Sequence, residues 1–170
     1  MVDYADTTSP RPSTHYIDAA PPGSVILIKT PATARSACWG GLMSTSAQAQ
    51  GLEGVVVLGR VRDLAEHRSL AFPVFARGHS TLGQTPFTRP AILGQSLSID
   101  VSHLEGGQPF IVHPTDLILA DEDGVLAIPS ALVEQVIEGA AERRRIDELC
   151  AQDLREGKGV KETFKARRGG

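Results

Sequence analysis

A chain of 170 residues with 41% apolar and 22% charged content is long enough to bury one substantial core and is composed as a soluble globule. Its net charge of −3 carries no basic footprint, so nucleic acid is not expected as a direct partner, and no apolar run reaches membrane-spanning length, so no membrane partner is expected either. Two isolated cysteines, Cys38 and Cys150, make neither a disulfide framework nor a metal motif, and the N-terminus lacks the basic-then-apolar order of a secretion signal, so a cytoplasmic location is expected.

Residues 1–14 are polar and punctuated by proline, which predicts a flexible lead. Pro21-Pro22-Gly23 then precedes Val25-Ile26-Leu27-Ile28, a continuous apolar run that predicts a buried strand. The small-residue stretch from Ala34 to Gln50, with Leu42, Ala47 and Ala49, predicts a closely packed helix. Near its start, the pair Gly40-Gly41 has two readings. It lets an anion approach unpaired backbone N–H groups, or it permits tight packing under Trp39. Cys38 has no activating base in the neighbouring sequence and reads as a small buried thiol.

Val55-Val56-Val57 predicts a second strand, which runs through Gly59 and delivers Arg62-Asp63 at its end. This pair has the chemistry of an oxyacid site, a carboxylate to hold a hard cation and a guanidinium to hold a negative oxygen. A solvated ion pair is the bland alternative for both residues, and Asp63 also suits the N-cap of a helix predicted over Asp63 to Leu70. Further strands are expected at Val74–Ala76, Ala91–Leu93, Leu97–Val101, Pro109–Val112, Leu117–Ala120 and Val125–Ile128. Asp121-Glu122-Asp123-Gly124 reads as the hairpin turn between the last two, with Asp-Gly supplying positive dihedral angles, and lacks the length and closing glutamate of a calcium loop.

Apolar residues at helical spacing from Leu132 to Leu154 predict a long helix, kinked or split at Gly139 and stopped at Gly157. Within it, Glu142-Arg143-Arg144-Arg145 reads as a solvated face or a subunit contact. Residues 158–170, with Lys158, Lys161, Lys165, Arg167 and Arg168, read as a basic flexible tail. The five histidines, His15, His67, His79, His103 and His113, show no metal spacing, and Gly78-His79-Ser80 does not make a triad by itself.

Taken together, Gly51-x-x-Gly54, Gly59-x-x-Arg62-Asp63 and Phe72-Pro73-Val74-Phe75-Ala76-Arg77-Gly78 resemble the family of the RNase E regulator RraA and the 4-hydroxy-4-methyl-2-oxoglutarate aldolases. The resemblance runs from about His15 to Gly157. It implies an α/β fold of the RraA-like type, a β/β/α sandwich like the swivelling phosphohistidine domains, as one domain over residues 15–157. It also implies homotrimers or homohexamers with sites at subunit boundaries.

The activity it implies is a lyase dependent on Mg2+ or Mn2+, an aldolase or oxaloacetate decarboxylase acting on short 2-oxo acids through a pyruvate enolate. In that frame Asp63 holds the cation and Arg62 binds the carbonyl or enolate oxygen. The backbone of Gly40, Gly41, Leu42 and Met43 receives the substrate carboxylate. Glu148, with Glu142 as the alternative, is the acid that a neighbouring subunit contributes from its C-terminal helix, and the loop of His79 lies near the site.

Three features depart from the family pattern. Gly41 stands where the aldolases carry an aspartate, twenty-one positions before the motif arginine, that orders metal-bound water. Leu58 stands where an aspartate is common, and a short polar lead replaces the N-terminal helices. A non-catalytic regulator or interaction module, or a repurposed enzyme taking a larger substrate in the space opened by Gly41, are the alternative functions.

Overall fold

The continuous apolar run of Val55, Val56 and Val57 is the signature of a strand covered on both faces, and in a computed structural model it is the middle of β4 (Gly54–Val61). The structure describes residues 1–102 and 105–169; His103 lies outside the described residues. Every pairing that β4 makes is parallel. Along one edge it pairs first with β2 (Val25–Lys29) and then with the short β3 (Ala37–Trp39). Along the other edge it pairs with β5 (Val74–His79).

Gly59 sits where β4 changes partner. A Cβ on it would meet the Thr30 side chain at 2.5 Å, so only glycine lets the strand pass that point. The sheet carries α1 (Gly41–Ala49) between β3 and β4, and α2 (Leu64–Leu70) between β4 and β5. The core beneath them gathers Ile17, Ile28, Trp39, Ala47, Val55, Val57, Val61 and Phe72, with the Trp39 and Phe72 rings stacked at 6.3 Å.

Three short antiparallel pairs complete this part of the chain. Strand β1 (Val2–Asp3) pairs with β6 (Thr88–Arg89), β7 (Leu97–Ile99) with β8 (Phe110–Val112), and β9 (Leu117–Ala120) with β10 (Val125–Ile128). The turn between β9 and β10 is the expected one: Asp121 N–H donates to the Gly124 carbonyl, and Asp121 Oδ1 accepts from Asp123 N–H at 2.9 Å. Gly124 takes a positive φ there, whereas Asp123 does not.

By contacts along the chain, residues 1–127 form one compact unit and 128–170 a second. The second unit is helical, with α3 (Val133–Arg155) packed on α4 (Val160–Arg168). Helix α3 runs unbroken through Gly139 and ends before Gly157, whose φ of 84° supplies the left-handed stop. No described helix is long and apolar enough to cross a membrane.

Four sequence expectations change. Residues 37–39 lie in a strand rather than a helix, because parallel pairing with β4 decides the conformation of Ala37-Cys38-Trp39, of which Cys38 and Trp39 are no strong helix formers. Ala91–Leu93 is not a strand: Pro90 has no N–H to continue the ladder that ends at Arg89, although Ala91 stays buried. The polar lead is fastened by the buried Arg89, which donates to the carbonyls of Asp6, Ser9 and Pro10 at 2.7 to 3.0 Å. The basic stretch after Lys158 is helical because its charges find partners on α3. Lys158 and Arg167 both donate to Asp153, at 2.7 and 2.8 Å, and Arg168 donates to Asp147 while lying 4.2 Å from the Phe164 ring centre.

Candidate active site

In a parallel sheet all strands point their C-terminal ends to one side, which is where open α/β sheets collect their functional loops. Here β3 and β4 end side by side. The rung that closes their pairing is Arg62 N–H donating to the Trp39 carbonyl at 2.9 Å, and it sets Arg62-Asp63 directly beside Gly40-Gly41.

Asp63 then takes a left-handed conformation, with φ 62° and ψ 42°, before α2 begins. Such a conformation is uncommon for a residue with a side chain, though aspartate tolerates it better than most. It turns the carboxylate back toward α1, where Asp63 Oδ2 accepts the Gly41 N–H at 3.0 Å. Asp63 makes no side-chain cap on its own helix, so the N-cap reading is replaced by a bond to the neighbouring loop.

Three further groups close around this point. The Arg62 Nε lies 3.6 Å from Asp63 Oδ2, with half of the side chain exposed, and a Cβ on Gly40 would come within 3.0 Å of that Nε. Gly83, in the loop after β5, would bring a Cβ within 3.4 Å of the Arg62 Nη1. The guanidinium is thus framed by two glycine backbones, which leave it open to a ligand. Finally, the Glu66 side chain covers Gly41: a Cβ built there would lie 2.6 Å from the Glu66 carboxyl carbon.

The glycine pair therefore serves close approach. Gly40 caps α1 in an extended conformation, and its carbonyl accepts from Met43 N–H at 3.0 Å and Ser44 N–H at 3.2 Å. This corrects the expected amide cradle. Gly41 N–H is taken by Asp63 and Met43 N–H by Gly40, so among the described residues only Leu42 N–H of the three has no protein acceptor. The Leu42 side chain is exposed and Met43 packs against the core.

Glu148 is on α3 in the second unit, exposed and 3.7 Å from Arg144, while Glu142 accepts from Arg145 at 2.9 Å. Cys38 is buried and its burial pushes the thiol up to about 11, so it is a neutral core residue as its sequence context suggested.

The residue that sequence reading missed is Glu66. Its signal was available: Asp63 and Glu66 are three apart at the head of a helix, a spacing that puts two side chains on one face. With Asp63 bonded to the Gly41 N–H and Glu66 lying over Gly41, two carboxylates border the same glycine. Their donors are all oxygens, which suits a hard divalent ion. Among the described residues no group of three histidine, cysteine, aspartate or glutamate side chains is placed to hold a metal ion.

Comparison with known proteins decides the family. The RraA-like model, described as Aldolase/RraA, matches residues 6–127. The chain belongs to the RraA-like family. It is 33% identical over 129 residues to the Halalkalibacterium halodurans protein named "Putative 4-hydroxy-4-methyl-2-oxoglutarate aldolase", covering 76% of this chain and 57% of that protein. The chain thus spans little more than half the length of that relative. Among solved structures, a Pseudomonas syringae protein aligns with a TM-score of 0.81 at 22% identity, covering 97% of this chain and 79% of the other. Streptomyces coelicolor RraAS2, described as an unusual member of the RNase ES inhibitor RraA protein family, aligns with a TM-score of 0.62 at 23% identity, covering 78% of this chain and 63% of its own. These two structures establish the RraA-like α/β fold. The RraA-like family carries both aldolase and ribonuclease-inhibitor names.

Proposed function

We propose that this RraA-like chain is a carbon–carbon lyase, dependent on Mg2+ or Mn2+, that cleaves or decarboxylates short 2-oxo acids. The observation that carries this reading is the placement of Glu66 over Gly41, which returns to the site a carboxylate at the position where the sequence alone shows only a glycine. Asp63 and Glu66 would hold the cation, with Asp63 oriented by the Gly41 N–H. When bound there, such an ion would supply Lewis acidity to the reaction of a 2-oxo acid.

The protein's own groups do the rest. Arg62, open between Gly40 and Gly83, stabilises the negative oxygen that develops as the carbon–carbon bond breaks and the pyruvate enolate forms. Leu42 N–H at the start of α1 receives the substrate carboxylate, where the helix end favours negative charge. Glu148 is proposed as an acid donated by a neighbouring copy in a homotrimer or homohexamer. Self-association is supported by the exposed Leu132 and Val136, four residues apart beside the start of α3.

The test is pyruvate release from oxaloacetate and from 4-hydroxy-4-methyl-2-oxoglutarate with Mg2+ or Mn2+, before and after chelation. The expected result is release that depends on the ion and falls by about ten- to a hundredfold in Glu66→Gln. A folded protein that releases no pyruvate with any ion removes the lyase reading. Tight association with a protein partner that survives chelation would then favour the regulator.

A further inference from the structure

Directly behind the site runs a buried polar chain that the proposed chemistry does not use. Trp39 Nε1–H donates to Ser44 Oγ at 2.8 Å, and Ser44 Oγ lies 2.9 Å from His67 Nδ1. All three are inside the protein, at 1%, 0% and 5% exposure. An indole N–H only donates, so Ser44 Oγ accepts from Trp39 and uses its own proton or its second lone pair for the bond to His67 Nδ1, which leaves Nε2 as the ring's other polar atom. That Nε2 has no partner among the described residues, so Ser44 is the ring's one polar tether.

The three residues flank the site in sequence. Trp39 immediately precedes Gly40-Gly41, Ser44 is in the first turn of α1, and His67 immediately follows Glu66. The chain therefore links the loop that presents the backbone N–H groups to the helix that presents the carboxylates, one residue behind each. Apolar side chains would fill this space equally well but would allow α1 and α2 to slide. A hydrogen bond between fully desolvated groups has one geometry, and breaking it strands a polar atom in the core.

We infer that His67 is a positioning residue: through Ser44 it fixes the register of Gly40-Gly41 against Asp63 and Glu66. The inference rests on the metal-site reading for its functional consequence but not for its structural content. The geometry it controls is the Gly41 N–H to Asp63 bond, which exists without any ligand.

The experiment compares wild type with His67→Leu, Ser44→Ala and His67→Asn. Leucine fills the ring's space without an acceptor. Asparagine restores an acceptor oxygen near the position of Nδ1, and Ser44→Ala is the smaller lesion should the leucine variant fail to fold. Folding is followed by the melting curve and by fluorescence of Trp39, the chain's one tryptophan.

In the metal-free protein, amide exchange at Gly41 is expected to rise about tenfold in His67→Leu and in Ser44→Ala and to return close to wild type in His67→Asn. Mn2+ affinity measured by calorimetry is expected to fall about tenfold in the same two variants and to recover in the third, the size typical of groups that orient metal ligands. Unchanged Gly41 exchange in a folded His67→Leu or Ser44→Ala protein overturns the inference, as does failure of His67→Asn to rescue it. If wild type binds no Mn2+, the lyase reading fails by itself, and the Gly41 exchange still decides the role of His67.

Discussion

The Glu66 side chain occupies the space that a side chain at Gly41 would need, so the two positions are alternatives for one volume beside Asp63. Gly41→Asp is therefore expected to be harmful by itself, lowering Mn2+ affinity about tenfold or more because Glu66 must move. Glu66→Ala is expected to lower it similarly. The double variant should recover part of the loss, since aspartate at 41 then has room. Calorimetric titration of the four proteins closes the cycle, and simply additive losses would show that the positions do not share a space.

Arg62 is framed by glycine on two sides and, among the described residues, its side chain makes only a long contact with Asp63. Arg62→Lys is expected to lose about two to three orders of magnitude in turnover, as removal of an oxyanion donor does. A single ammonium cannot reproduce the planar fork. Mn2+ affinity should stay near wild type, so the two measurements together separate substrate stabilisation from ion binding. Near-normal turnover in Arg62→Lys would leave the residue a charge partner of Asp63 and no more.

The left-handed backbone at Asp63 separates stability from function. Asp63→Gly and Asp63→Ala should both lose metal binding, but the alanine variant bears the conformational cost and should be less stable by about 1 kcal/mol. For a chain of this size that difference corresponds to about 2–4 °C in Tm. Ala71, at the far end of α2 with φ 51°, is the internal control. Ala71→Gly should raise Tm without touching Mn2+ affinity, and scanning calorimetry of the three variants checks both statements.

In the helical unit, hydrogen bonds from Arg167 and then Lys158 hold the Asp153 carboxyl well below the usual carboxylate range. A carboxylate whose folded value lies below its unfolded value of about 3.9 stabilises the fold above that pH and loses its contribution as pH falls toward the folded value. The protection of the α4 amides, their slowing relative to the intrinsic exchange rate at the same pH, should therefore stay high at neutral pH and fall as the pH drops below about 4. Asp153→Asn should show lower protection at neutral pH and little further change in acid. An acid response in Asp153→Asn as large as in wild type would place the sensitive group elsewhere.

Much of this was legible in the residues themselves. The triple valine of β4, the Asp-Gly turn at 123–124 and the spacing of apolar residues from Leu132 to Leu154 each encode a local period or a local dihedral, which short-range physics fixes. The Arg62-Asp63 pair was visible as chemistry because it follows a strand and a glycine. The strand nature of residues 37–39 was not visible, since so short a segment becomes a strand only when a partner is there to pair with it, and the partner is β4, some twenty residues away. The order of α4 was hidden for a similar reason: a run of lysine and arginine looks solvated until Asp153 and Asp147 are brought beneath it.

The sequence by itself determined the family resemblance, the core strands, and the identity of one carboxylate and one guanidinium with the right chemistry. Only the tertiary structure decided what that chemistry has to work with. Sequence presented Gly41 as a missing aspartate, whereas folding lays Glu66 over it and turns Asp63 back onto its N–H, because two parallel strands end side by side and a left-handed residue follows one of them. A motif records which groups are present, but a site depends on which groups converge, and convergence is set by strand register and backbone direction.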